Sequence, residues 1–284
     1  MTFRPRRSAL YMPGSNARAL EKARSLPVDV VILDLEDSVA PDAKTQARDT
    51  VLRAVAEGGF GQREVVVRIN ALDTPWGADD LSALSQTRAD AVLVPKVSSR
   101  AAVVATRDGL GDNSSIAIWA MMETPKAILT AAEIAGARAE VPQFAAMVMG
   151  TNDLSKDTRA RLLPGRAAFQ PWLATCIAAA RSACLDIIDG VFNDLDDAAG
   201  FEAECQQGRD MGFDGKTLIH PRQIAPCNQV FSPSPDELAW AERIAHLFEQ
   251  PENQGLGVVR VDGRMVERLH AEMAQRTLVM AGER

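Results

Sequence analysis

The sequence predicts a closed (β/α)8 barrel with a C-terminal helical extension, and three observations carry that expectation. Eight short apolar segments alternate with stretches of helical pattern along 284 residues, the arrangement of a parallel sheet. Runs such as Val30–Leu33 are continuously apolar, as suits strands covered on both faces. No G-x-G-x-x-G follows the first strand, which weakens the rival open dinucleotide-binding sheet.

In order, Ser8–Met12 is a short strand, and Pro13-Gly14-Ser15-Asn16 turns the chain into a helix over Ala17–Ser25. Val30–Leu33 ends in Asp34, Glu36 and Asp37, with a helix over Lys44–Glu57 after Pro41 and Asp42. Glu64–Ile69 is β-branched, carries Arg68 near its end and precedes a helix at Asp79–Thr87. Ala91–Val94 leads to Pro95-Lys96, a helix at Arg100–Arg107 and a Gly-Asp-Asn loop. Ile116–Met122 ends at Glu123, and Thr124-Pro125 opens another helix, with Pro in a favoured first-turn position. Ala145–Met149 ends at Gly150 and the polar cluster Thr151-Asn152-Asp153. A helix at Trp172–Ala183, a strand at Asp186–Ile188, a helix at Ala198–Met211 and a strand at Phe213–Ile219 complete the pattern.

The barrel is expected over residues 1–230 and the extension over 231–284. In the extension, Ser234 caps a helix over Asp236–Glu249. A strand at Val258–Val261, a turn at Asp262-Gly263 and a helix over Arg264–Met280 follow. Met265, Leu269, Met273 and Leu278 form an apolar stripe on that last helix. The stripe needs burial, and either the chain's own barrel or a neighbouring subunit can supply it.

Composition narrows the function. The formal net charge is −7 with no long basic run, which argues against a nucleic-acid partner. No signal peptide is evident and no apolar run approaches the length of a membrane helix, so a cytoplasmic protein is expected. Cys176, Cys184, Cys205 and Cys227 show no C-x-x-C spacing and read as reduced thiols, not as a zinc site.

Polar residues gather after the strands. Asp34, Glu36, Asp37, Arg68, Lys96, Glu123 and Asp153 all fall at or just past strand ends, which converge on one rim of a barrel. Each has a structural alternative. Asp153 can N-cap a helix, Arg68 can bridge to Glu36 or Asp37, Lys96 can be a solvated loop lysine, and His220 can be a hydrogen-bonded core residue. As a set they suit chemistry better than folding. Glu123 and Asp153, without His or Cys, favour Mg²⁺ or Mn²⁺. Arg68 can grip a substrate carboxylate bidentately, and the N–H groups of Gly150, Thr151 and Asn152 can take another anionic oxygen.

The segments RRSALYMPGSNARALEKA, VVILDLEDSVAPDAK, VVVRINA, VLVPKV, METPKAI, MGTNDLSKD, IDGVFNDLDD and GFDGKTLIHPRQIAPCNQVFSP together resemble the HpcH/HpaI aldolase/citrate lyase family, in particular citrate lyase β-subunit-like and malyl-CoA lyase-like members. The resemblance runs from Arg6 to about Pro233. It implies a magnesium-binding barrel, usually trimeric or hexameric, with Glu123 and Asp153 as metal ligands and Arg68 as the carboxylate-binding arginine. Glu36 and Asp37 would support Arg68 and the waters around the metal, and Lys96 would contact substrate. Tyr11, Arg18 and Lys22 fall where such proteins place acyl-CoA. In malyl-CoA lyase-like members a tail from a neighbouring subunit presents an Asp as acid–base, and here DGRMVERLH puts Glu267 at that position.

The expected activity is Mg²⁺-dependent carbon–carbon cleavage. A 3-hydroxyacyl-CoA dicarboxylate such as malyl-CoA or citramalyl-CoA would give an acyl-CoA and a 2-oxo acid, or the reverse. The alternatives are a thioesterase on the same substrates, a citrate lyase β-subunit acting on an acyl-carrier-protein thioester, and a ligand-sensing barrel without catalysis.

Overall fold

The computed structural model describes residues 4–111 and 115–282, so Asp112 and Asn113 of the expected loop lie outside the described residues. Eight parallel strands close in chain order: β1 (Ser8–Pro13), β2 (Val30–Asp34), β3 (Glu64–Arg68), β4 (Ala91–Val94), β5 (Ala117–Met122), β6 (Phe144–Met149), β7 (Asp186–Asp189) and β8 (Gly215–Leu218). Pairing of Ser8, Ala9 and Leu10 with Lys216, Thr217 and Leu218 seals the cylinder. The connecting helices include α1 (Ala17–Ala23), α2 (Lys44–Glu57), α3 (Gly77–Leu84), α4 (Arg100–Leu110), α5 (Pro125–Leu129), α6 (Ala131–Gly136), α7 (Thr151–Thr158), α8 (Gln170–Ser182), α9 (Ala198–Met211) and α10 (Ile224–Phe231). The expected fold class is the observed one.

Strand alternation decides which side chains reach the site. Ala9, Val30, Ile32, Val66, Leu93, Trp119, Met121, Ala146, Val148 and Ile188 form one buried cluster inside the barrel. With a side-chain period of two, Asp34 continues the column of Val30 and Ile32, Arg68 that of Val66, and Glu123 that of Trp119 and Met121. The same hydrophobic register that fills the barrel therefore aims these charges into its C-terminal mouth. At the opposite mouth, Arg6 pairs with Glu64 at 2.8 Å and Asp186 at 2.6 Å, its guanidinium 4.9 Å from the Trp119 ring centre.

Charges facing the other way along β7 and β8 are matched too. Lys216 and Asp189 are completely buried and 3.0 Å apart; Arg166 lies 2.7 Å from Asp189, and Glu204 of α9 lies 2.7 Å from Lys216. A lone buried charge would be very costly, but four alternating ones with hydrogen bonds can hold.

By contacts, the chain forms two compact units, one over Arg6–Gln229 and one built from the segment beginning at Val230 together with the first residues. The second unit contains α11 (Pro235–Ile244), the hairpin β9 (Val258–Val261) and β10 (Arg264–Glu267), and α12 (Arg268–Ala281). Ser234 caps α11 as expected, its hydroxyl accepting from Glu237 N–H at 3.2 Å. The helix expected from Arg264 starts only at Arg268, because Arg264–Glu267 pairs antiparallel with Val258–Val261. Asp262 and Gly263 both have positive φ, +49° and +80°, the requirement of a two-residue hairpin turn, which demands a strand on each side. The expected apolar stripe divides: Leu278 packs with the unit's buried cluster, whereas Met265, Leu269 and Met273 are exposed. Ala271 and Ala274 take the buried face of α12 instead.

Candidate active site

The C-terminal mouth of the barrel holds a cavity of about 290 Å³ whose walls include Tyr11, Asp34, Asp37, Arg68, Glu123, Gly150, Thr151, Asn152 and Asp153. Arg68 organises its floor. Nε and Nη2 bond Asp34 at 2.7 and 2.8 Å, while Nη1 lies 2.9 Å from Glu36 and 3.3 Å from Asp37. The Tyr11 ring stacks 4.7 Å from the guanidinium carbon. Asp34 also accepts the backbone N–H of Glu36 at 2.9 Å and Ser38 at 3.1 Å, which shapes the acidic loop after β2. Burial opposes the Asp34 charge, but Arg68 and these N–H bonds hold the carboxyl below the usual carboxylate range.

Arg68 thus lines the cavity, but the bidentate face of its fork is already taken by Asp34. A substrate carboxylate must share the guanidinium with three protein carboxylates. The structural alternative, an ion pair from Arg68 to Glu36 and Asp37, is present alongside.

Glu123 is 1% exposed. Its Oε1 accepts the Lys96 N–H at 2.7 Å, and a Cβ at Gly150 would stand only 2.5 Å from its Oε2. Glycine at 150 is what lets this carboxylate close against β6. Burial first, then the nearby Glu36 charge, pushes the Glu123 carboxyl up to about 8. Burial likewise raises Glu36, whose Oε2 is buried without a well-aligned hydrogen bond despite the Arg68 ion pair.

Gly150 occupies the N-cap position of α7, which places Asp153 in the helix's first turn, so the reading of Asp153 as the cap is corrected. Thr151 is buried, and its hydroxyl has no hydrogen-bond partner among the described residues, while Asn152 is exposed and exchanges amide hydrogen bonds with Asn193 at 2.7 and 3.2 Å.

A hard dication fits this donor set. Glu123 and Asp153 line one cavity, Glu123 is a buried carboxylate, and among the residues lining the cavity there is no histidine or thiol to compete. Among the described residues no three His, Cys, Asp or Glu side chains converge as a ready-made metal cage. An ion there would complete its shell with water and substrate oxygens.

A family model described as HpcH/HpaI aldolase/citrate lyase matches residues 7–221. The chain belongs to the HpcH/HpaI aldolase/citrate lyase family. A (3S)-malyl-CoA thioesterase of Cereibacter sphaeroides is 49% identical over 277 residues, covering 98% of this chain and 95% of the relative. An L-malyl-CoA/beta-methylmalyl-CoA lyase of the same species is 34% identical, covering 93% and 91%. Among solved structures, CitE from Mycobacterium tuberculosis in complex with magnesium, acetoacetate and coenzyme A superposes with a TM-score of 0.79 at 31% identity, covering 99% of this chain and 98% of that one.

The family's sequence pattern leaves some residues outside the cavity. Lys96 has a half-exposed side chain whose ammonium lies 3.6 Å from Glu36, and it does not line the cavity. Arg18 and Lys22 are exposed on α1, and Glu267 is exposed at the junction of β10 and α12 in the second unit. His220, a core candidate, is instead the N-cap of a short 3₁₀ turn, its Nδ1 accepting the Arg222 N–H at 3.1 Å. The sequence places Asp34 in the strand-end set without a role of its own and does not single out Met121 or Thr217; all three line the cavity. For Asp34 the signal was its parity with Val30 and Ile32. No helix of the described residues is long and apolar enough to cross a membrane.

Proposed function

We propose that this enzyme hydrolyses the thioester of a 3-hydroxyacyl-CoA dicarboxylate of the malyl-CoA type in a Mg²⁺-dependent reaction. The observation that carries the reading is the meeting of Arg68, Glu123 and Asp153 in one cavity at the barrel's C-terminal mouth. The 49%-identical relative named as a thioesterase, matched along nearly the whole chain, supports hydrolysis over carbon–carbon cleavage.

In this reading Glu123 and Asp153 hold the magnesium ion, which supplies Lewis-acid polarisation of substrate oxygens when bound. Arg68 attracts the substrate's free carboxylate from the cavity floor. The Thr151 hydroxyl and the N–H groups opening α7 hydrogen-bond its oxygens. Glu36 and Asp37 keep Arg68 oriented. Water adds to the thioester carbonyl, the carbon–sulfur bond breaks, and coenzyme A leaves as its thiol after taking up a proton. Glu267 of a neighbouring chain is the proposed group that takes the proton from water. A glutamate where lyase-like relatives present aspartate moves the carboxylate by about one methylene, enough to change which atom it reaches.

The second reading, cleavage to an acyl-CoA and a 2-oxo acid, is favoured by the 34%-identical lyase. Mass spectrometry after incubation with (3S)-malyl-CoA and Mg²⁺ separates the two. Malate and coenzyme A support hydrolysis, and acetyl-CoA with glyoxylate would replace it by cleavage.

A further inference from the structure

Lys96 has φ +55°, the left-handed region that an L side chain occupies only at an energetic cost. Strain of this kind persists where the surroundings hold it. Here they do: the Lys96 N–H donates to Glu123 Oε1 at 2.7 Å, and its carbonyl accepts the Ser98 hydroxyl at 3.1 Å. Ser98 in turn lies 2.9 Å from the Thr124 hydroxyl, which ties the turn after β4 to the end of β5. Across the carboxylate, Glu123 closes onto the bare Cα of Gly150. Meanwhile the Lys96 side chain is 48% exposed and only 3.6 Å from Glu36, an ion pair of the kind that contributes little.

We propose that Lys96 is a positioning residue acting through its main chain. Its left-handed turn commits Glu123 Oε1 to a backbone N–H, leaves Oε2 as the oxygen offered to a dication, and thereby favours magnesium over calcium. Magnesium demands a compact octahedral shell, whereas calcium readily takes both oxygens of a carboxylate. Freeing Oε1 would therefore help calcium more. The inference rests on the reading that Glu123 holds a dication, and it assigns the ammonium no part.

The test is calorimetric titration of Mg²⁺ and Ca²⁺ into the full-length wild type and Lys96→Gly, Lys96→Asn, Lys96→Val and Lys96→Arg. Glycine and asparagine tolerate positive φ, while β-branched valine resists it. The Mg²⁺-over-Ca²⁺ preference is expected to stay within about threefold of wild type in the Gly and Asn variants and to fall by about tenfold or more in the Val variant. Loss of preference in Gly and Asn with retention in Arg would overturn the proposal, because the charge would then be the active part. Full retention in a folded Val variant would overturn it equally; if that variant does not fold, Gly against Arg decides. A metal-free readout separates this from the functional reading. Hydrogen exchange at the Lys96 amide should quicken by about tenfold or more in Glu123→Ala. Unchanged exchange would remove the hydrogen bond and the proposal with it, whereas a wild type that binds no Mg²⁺ would sink the functional reading instead.

Discussion

At neutral pH and without a cation, Glu123 largely keeps its proton, because burial and the neighbouring Glu36 push its carboxyl up to about 8. A dication has to displace that proton. Mg²⁺ affinity should therefore rise with pH between about 6 and 8, by at most about tenfold per unit, and titrations in buffers of different ionisation enthalpy should detect proton release. A flat profile would mean that Glu123 is not a ligand. Replacing either candidate ligand, by Glu123→Gln or Asp153→Asn, should abolish Mg²⁺ binding and leave the far-UV circular dichroism unchanged. Arg68→Lys should weaken the dicarboxylate acid product by about 1.5–3 kcal/mol while coenzyme A alone binds as before, since an ammonium cannot reproduce the guanidinium fork. Equal weakening of both ligands would show that Arg68 chiefly holds the Asp34–Glu36 loop together.

At the scale of elements, the buried network joining β7, β8 and α9 makes a separate prediction. Burial works against the Asp189 charge, yet Lys216 and Arg166 hold its carboxyl below its ordinary value of 3.8. A folded value below the unfolded one gives stability that is complete above the unfolded value and lost as pH falls through the folded one. Lys216→Met leaves Asp189 to Arg166 alone and should cost about 3–5 kcal/mol in urea denaturation at pH 7. A loss under about 1 kcal/mol would show that the remaining partners suffice. The same elements show what could be read from the sequence. Short segments, most of them apolar, located the strands, β8 among them although Lys216 interrupts it, and strand-end polarity singled out Arg68, Glu123 and Asp153, because register and chemistry share one alternation. The Arg68–Asp34 clamp and the use of Lys96 through its backbone were not legible. Which partner a guanidinium chooses, and the sign of φ after Pro95, depend on contacts far apart in sequence. The start of α12 was misread for a local reason: Arg264–Met280 has helical periodicity, but the Asp262-Gly263 turn recruits its first four residues into a hairpin.

For the whole molecule, the second unit leaves Met265, Leu269, Met273 and Val279 exposed at 40% or more. Large apolar side chains are less costly when covered than when left in water. A second copy of the chain is the proposed cover, and Glu267 is the residue proposed to serve a neighbour's site. Mixed oligomers of two inactive variants, Glu267→Ala and Asp153→Asn, should then recover part of the activity, because some sites would combine intact halves. No recovery in demonstrated mixed oligomers would confine each site to one chain. If the C-terminal cavity performs metal-dependent thioester chemistry, free-thiol release from (3S)-malyl-CoA will follow the metal and its proposed ligands. Wild type with Mg²⁺ should release coenzyme A rapidly, with release falling by about 10³-fold or more in Glu123→Gln and under chelation. Thiol release unchanged by that substitution and by chelation would contradict it.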